Sequence, residues 1–183
     1  RLIMANFSLT LINELPKTVG DLQALTSFQF AGGYHFPKSY QAFVKEFGYG
    51  LTLGQFLIYV PMGDYCDSIF VQVSVAQSYM PDPNDEYFSP EDLAPDATLE
   101  IIKNLYLFAR SENGYYLFWD TGQQQGQEFD IFMTDFRGFG FRKIAKNLYQ
   151  CLDILTDDIK IRQLPFFTKA YEKTFKVINP IGK

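Results

Sequence analysis

Phe36-Pro37-Lys38-Ser39-Tyr40-Gln41-Ala42-Phe43-Val44-Lys45-Glu46-Phe47-Gly48-Tyr49-Gly50 carries a complete helix together with its stop signal. Pro37 suits the first turn, where its missing N–H would have had no intrahelical partner. Tyr40, Phe43, Val44 and Phe47 recur at i, i+3, i+4 and i+7, the spacing of one apolar stripe. Gly48 or Gly50 can supply the left-handed residue that ends the helix. None of these side chains is chemical in character. The stripe predicts a helix clamped onto a core by aromatic rings, with a tight turn after it.

Upstream, Asp21 caps a short helix carrying Leu22, Leu25 and Phe28, and Gly32-Gly33 breaks it. Residues 1–20 read as irregular or as a docking arm, with Leu9, Leu11, Ile12 and Leu15 able to bury something. Downstream, residues 51–60 read as a strand in which Gly54 marks a bulge or a close approach. Ile69, Val71, Val73 and Val75 alternate, which by period and β-branching is a strand pattern. Residues 80–98 read as a loop, since Pro81, Pro83, Pro90 and Pro95 exclude a long helix or central strand. Within it, Ser89-Pro90-Glu91-Asp92 has the chemistry of a brief helical turn.

Residues 105–110 and 115–120 flank Ser111-Glu112-Asn113-Gly114, where Asn113-Gly114 signals a hairpin. A third strand follows at 129–135. Residues 142–155 then read as a helix with Ile144, Ala145, Leu148, Cys151, Leu152 and Leu155 inward. Antiparallel strands followed by a helix predict an α+β fold, a mainly antiparallel twisted sheet with helices packed on it. The 183 residues form a single domain, with a core at 20–156 and a C-terminal extension, 157–183, packed on it. That extension is aromatic and basic, and reads equally as helix or strand.

The net charge of −5 conceals an asymmetry. Residues 1–45 carry +2, residues 46–135 set fifteen acids against Lys103 and Arg110 for −13, and residues 136–183 carry +6. A field of this kind attracts and steers a basic partner, although it also serves as an ordinary solubilising surface. Nothing approaches a membrane-spanning run, and residues 1–12 lack the apolar core of a secretory signal. Cys66 and Cys151 offer no disulfide framework, so a reducing cytoplasm is the expected compartment.

The opening helix and the Asn113 hairpin together resemble the SUKH superfamily. That superfamily includes the Smi/Knr-type cell-wall regulators of fungi and many bacterial immunity proteins. Its pattern reads approximately Leu-Pro-x-x-Tyr-x-x-Phe-Leu, a few residues, then Asn-Gly-Gly. Here Phe36-Pro37, Tyr40, Phe43-Val44 and Gly48-Tyr49-Gly50 stand at those places, with Phe for Leu and no Asn. Leu107-Phe108-Ala109 and Asn113-Gly114-Tyr115-Tyr116-Leu117-Phe118-Trp119-Asp120 resemble the family's strand, Gly-centred turn and strand ending near an acid. Residues 141–155 resemble its closing helix. The resemblance implies a helix near 69–79, capped by Asp67, where periodicity alone reads strand. It marks Pro37, Tyr40, Phe43, Phe47, Gly48, Gly50, Asn113 and Gly114 as scaffold.

Catalytic chemistry finds little support. His35 is the single histidine, so paired-histidine metal sites are excluded and a triad would depend on it alone. There is no phosphate loop. Asp64 with Asp67, or Asp82 with Asp85, could form a hydrolase pair, but carboxylates in Pro-rich loops are usually solvated. No cofactor, metal or catalytic residue is assigned, and direct nucleic-acid binding is disfavoured by the acidic middle section.

The resemblance implies a non-enzymatic, cytoplasmic immunity protein that neutralises a polymorphic toxin, often a nuclease. A nuclease must be basic to hold phosphates, so acids can occupy the same groove. Asp82, Asp85, Glu86, Glu91, Asp92 and Asp96 would supply the charge, with Tyr87 and Phe88 as aromatic anchors. A scaffold or regulatory role of the cell-wall type ranks second, and a small hydrolase using His35 or a carboxylate pair third.

Overall fold

The computed structural model describes residues 3–4 and 6–182. Among the described residues nine strands form one sheet: β1 (Ile3–Met4), β2 (Leu9–Leu11), β3 (Gly50–Thr52), β4 (Phe56–Ile58), β5 (Leu105–Ser111), β6 (Tyr116–Asp120), β7 (Ile131–Thr134), β8 (Arg142–Ala145) and β9 (Thr174–Val177). Their spatial order is β1-β2-β9-β3-β4-β5-β6-β7-β8. Every pairing is antiparallel except β2 with β9. The helices are α1 (Leu22–Ser27), α2 (Lys38–Glu46), α3 (Ile69–Ala76), α4 (Leu99–Ile102) and α5 (Leu148–Thr156). The α+β reading is correct.

The opening helix forms as its stripe requires. Tyr40, Phe43, Val44 and Phe47 of α2 and its end are all fully buried. Tyr40 meets Trp119 of β6 edge-on at 4.8 Å, while Phe47 meets Phe175 of β9 at 4.9 Å, so α2 crosses one face from β6 to β9. Each such ring contributes about 1.5–3 kcal/mol by leaving water. Buried Tyr40 also donates its hydroxyl to the Tyr59 carbonyl at 2.6 Å, which removes the cost of burying that oxygen.

The helix stops at a crossing of three chain segments. Gly48 has φ +67°, and a Cβ there would lie 2.2 Å from the Thr18 carbonyl oxygen. Tyr49 N–H donates to that same oxygen at 2.7 Å. At Gly50 a Cβ would lie 2.4 Å from the Lys176 carbonyl oxygen of β9. The Gly-x-Gly pair is thus needed for close backbone approach on two sides as well as for turning.

The N-terminus of α2 is capped from far away in sequence. Pro37 at the N-cap has no side-chain donor or acceptor to offer. Glu128 instead accepts from Ser39 N–H at 2.7 Å and from the Ser39 hydroxyl at 2.8 Å. That hydroxyl in turn accepts Leu148 N–H at 2.9 Å, so one network joins the starts of α2 and α5. Burial pushes the Glu128 carboxyl above its usual range, against the opposing pull of Ser39 and Lys38. A raised carboxyl binds a proton more readily folded than unfolded, so its contribution to stability falls as pH rises above the ordinary Glu range. Glu128→Ala should cost about 2 kcal/mol at neutral pH by stranding both donors. Glu128→Gln keeps an acceptor, and wild type should lose stability relative to it as pH rises above the ordinary Glu range, read in paired urea melts.

Four sequence readings need correction. Residues 51–60 hold a hairpin, β3 and β4, because Leu53 (φ +57°) and Gly54 (φ +69°) sit at the centre of a turn closed by Gln55 N–H to the Thr52 carbonyl at 3.1 Å, in a three-residue connection. Gly54 has open space around it, so it marks the turn and no close approach. Residues 142–145 form strand β8, and the closing helix starts only at Leu148. Residues 1–20 do not act as an arm: β1 and β2 join the sheet, Leu9 and Leu11 are buried, and Ile12 and Leu15 stay exposed. Arg1, Leu2 and Ala5 lie outside the described residues. Residues 69–76 are helical as the resemblance implied, but Ser68 is the N-cap rather than Asp67. Asp67 accepts the Tyr49 hydroxyl at 2.5 Å.

Candidate functional site

The acidic loop lies on the sheet face opposite α2. Along β6, Trp119 faces the helix and its neighbour Phe118 faces away, as strand geometry demands. On that far side Phe118 and Tyr116 meet Phe136, at 6.1 and 5.0 Å. A small separate core of Leu93, Ile102 and Phe141 sits under the loop, with Phe88 half-buried against it. Tyr87, one residue earlier, is 84% exposed.

The loop's base is held on the outer edge of β8. Phe141 N–H donates to the Ala94 carbonyl at 3.0 Å, and Asp96 N–H donates to the Phe141 carbonyl at 3.1 Å. Lys143 N–H donates to the Asp96 carboxylate at 2.9 Å. The segment thereby covers an edge that would otherwise offer unpaired backbone groups. Close approach here needs Gly140, at φ +73°, where a Cβ would fall 2.0 Å from the Ala94 oxygen.

Several carboxylates organise the loop while remaining exposed. Asp82 accepts Asn84 N–H at 2.9 Å, and Asp85 accepts Tyr87 N–H at 2.9 Å. Asp92 accepts Ser89 N–H at 3.2 Å, closing a capping box on the 3-10 turn Pro90–Leu93. The Ser89 hydroxyl binds Glu91 and holds its carboxyl below the usual range. Glu86 is exposed. Between the loop and the 134–141 turn runs an open groove of about 610 Å³, lined among others by Tyr79, Asp82, Asp85, Tyr87, Phe136 and Arg137.

The structure adds acids that a reading of the loop alone missed. Asp120 and Asp130 sit opposite each other on β6 and at the start of β7, linked by Asp120 N–H to the Asp130 carbonyl at 3.0 Å. Lys143 bridges them to the loop, its Nζ lying 3.7 Å from Asp130 while its N–H binds Asp96. Burial, and secondarily Asp130, push the Asp120 carboxyl up, against the pull of Gly122 N–H and Lys143. Only strand pairing brings these positions together, and no local pattern signals it.

The remaining candidates serve the fold. His35 Nδ1 lies 3.0 Å from the Phe28 carbonyl, and the residue pairs with Gln29 as an isolated bridge. Asp64 is exposed, whereas Asp67 is engaged by Tyr49. Cys151 is buried, which pushes its thiol up to about 12, and Cys66 is exposed; both are free. Of the aromatic tail, Phe167, Tyr171 and Phe175 pack inward, while Phe166 is exposed. Among the described residues no group of His, Cys, Asp and Glu is placed to hold a metal ion. No helix among them is long and apolar enough to cross a membrane.

A family model described as SMI1-KNR4 cell-wall, of the SUKH type, matches residues 24–152, most of the chain. No curated protein and no solved structure gives a significant match.

Proposed function

This chain belongs to the SMI1-KNR4 (SUKH) family, and from that premise we propose that it is a non-enzymatic protein-binding domain of the immunity type. Its partner is a basic toxin domain, of nuclease class, met in the cytoplasm. The observation that carries the reading is the 82–96 loop, whose carboxylates and exposed Tyr87 stand on a base fixed to the edge of β8. A surface of this kind meets a basic groove without reorganising, and its field accelerates encounter. Tyr87 supplies the aromatic anchor, while Phe88 secures the loop from below. Asp120 and Asp130 extend the acidic face beyond the loop.

The test uses a basic toxin domain of nuclease class as the binding probe. Replacing Asp85, Glu86, Glu91 and Asp92 with Lys should slow association at low ionic strength by about ten-fold or more, with convergence at high salt. Surface plasmon resonance at two salt concentrations reads both effects. Unchanged association at low salt would remove the loop from the mechanism. A regulatory role of the cell-wall type is favoured by the family's own description, and it predicts no affinity for such a toxin.

A further inference from the structure

Resting on the reading of this face as a protein-binding surface, we propose that the groove beside the loop receives one cationic side chain of the partner, an arginine in preference to a lysine. The groove combines two features that such a side chain uses together. Its rim carries Asp82 and Asp85, and no ion pair among the described residues involves either. Its walls are aromatic: Tyr79 is 54% exposed, its ring lies 6.3 Å from that of Phe136, and Tyr87 stands free above. A guanidinium is planar, stacks on ring faces and offers a fork of donors to carboxylates, whereas an ammonium is more strongly hydrated. An apolar side chain would desolvate the carboxylates without pairing them, which costs free energy.

Arg137 is the basic residue on this groove, and no ion pair among the described residues involves it. Its charge therefore opposes an incoming cation. Arg137 is thus a determinant of affinity at this groove.

The probe is N-acetyl-arginine amide, titrated into the isotope-labelled full chain at low ionic strength and followed by amide chemical shifts. Shifts should concentrate at residues 79–92 and 134–141, with affinity about five-fold above the neutral citrulline analogue. Asp82→Asn with Asp85→Asn keeps the oxygens that accept Asn84 and Tyr87 N–H, so the turns persist while two charges go. This variant should bind about five-fold more weakly, and Arg137→Ala about two-fold more tightly. Equal shifts from the citrulline analogue, shifts spread over Asp120 and Asp130, or weaker binding by Arg137→Ala would each overturn the proposal. If the groove fails while the toxin domain still binds, the protein-binding reading stands alone. Arginine in the groove without any toxin affinity leaves the opposite result.

Discussion

Gly48→Ala should lower the melting temperature by about 10 °C. Two costs add. At φ +67° an L-residue with a side chain sits in the left-handed region, at about 1–2 kcal/mol. The new Cβ would also stand 2.2 Å from the Thr18 oxygen and 2.5 Å from the Val19 Cα, both backbone atoms that cannot rotate away. Moving them disturbs the Tyr49 N–H bond to Thr18 and the buried end of α2, for about 1–3 kcal/mol more. Gly114→Ala is the control. Its φ is +92° but nothing lies within 4 Å, so it should carry the backbone cost alone. Thermal melts of the two variants decide: equal losses would mean that the Thr18–Val19 crossing is soft and the motif is only a turn.

Gly140→Ala should release the acidic loop. The Cβ would fall 2.0 Å from the Ala94 oxygen at φ +73°, so the 94–96 segment must leave the edge of β8. The bonds Phe141 N–H to Ala94 and Asp96 N–H to Phe141 would then break, and Asp96 would lose Lys143 N–H. Hydrogen exchange should speed at Phe141, Asp96 and Lys143, and proteolysis should concentrate in residues 82–96. The expected stability loss is about 2–4 kcal/mol. Under the function proposed above, affinity for a basic toxin domain should fall with it, since the charges would lose their fixed arrangement. Gly138→Ala, whose Cβ meets only the Phe166 ring at 3.9 Å, should leave exchange at these amides unchanged. If Gly140→Ala kept them protected, the loop would be anchored elsewhere.

The two glycines differ in how far the sequence announced them. Gly48 follows a helical stripe that names its own end, so its role was legible. Gly140 sits before a segment whose apolar residues fit one helix stripe from Ile144 to Leu155, and that fit is misleading. In β8 the neighbours Ile144 and Ala145 are both buried, one on each face of the sheet. A helix stripe buries adjacent pairs as well, as Cys151 and Leu152 do in α5, so the pattern by itself fits either element. The boundary signal was present: Asn147 with Gln150 three residues on is cap chemistry, and the Asn147 side chain accepts Gln150 N–H at 2.8 Å. At 69–76 the error would have run the other way. Period-2 branching argued for strand, yet the segment is a helix with Ile69 and Ala76 inward, and family resemblance corrected the periodicity.

Sequence alone determined what depends on neighbours along the chain: the α2 stripe, the Asp21 cap, the Asn113-Gly114 hairpin, the α+β class and the family. Those features obey spacings of a few residues, so their physics is written locally. Tertiary structure decided what depends on neighbours in space. It set the aromatic tail as β9 between β2 and β3, and it let Glu128 cap a helix 89 residues away. It also laid the acidic loop along the edge of β8 and joined Asp120 and Asp130 to its face. Backbone pairing and charge both act through distance, and which residues end up close is fixed only when the sheet has closed around its aromatic core.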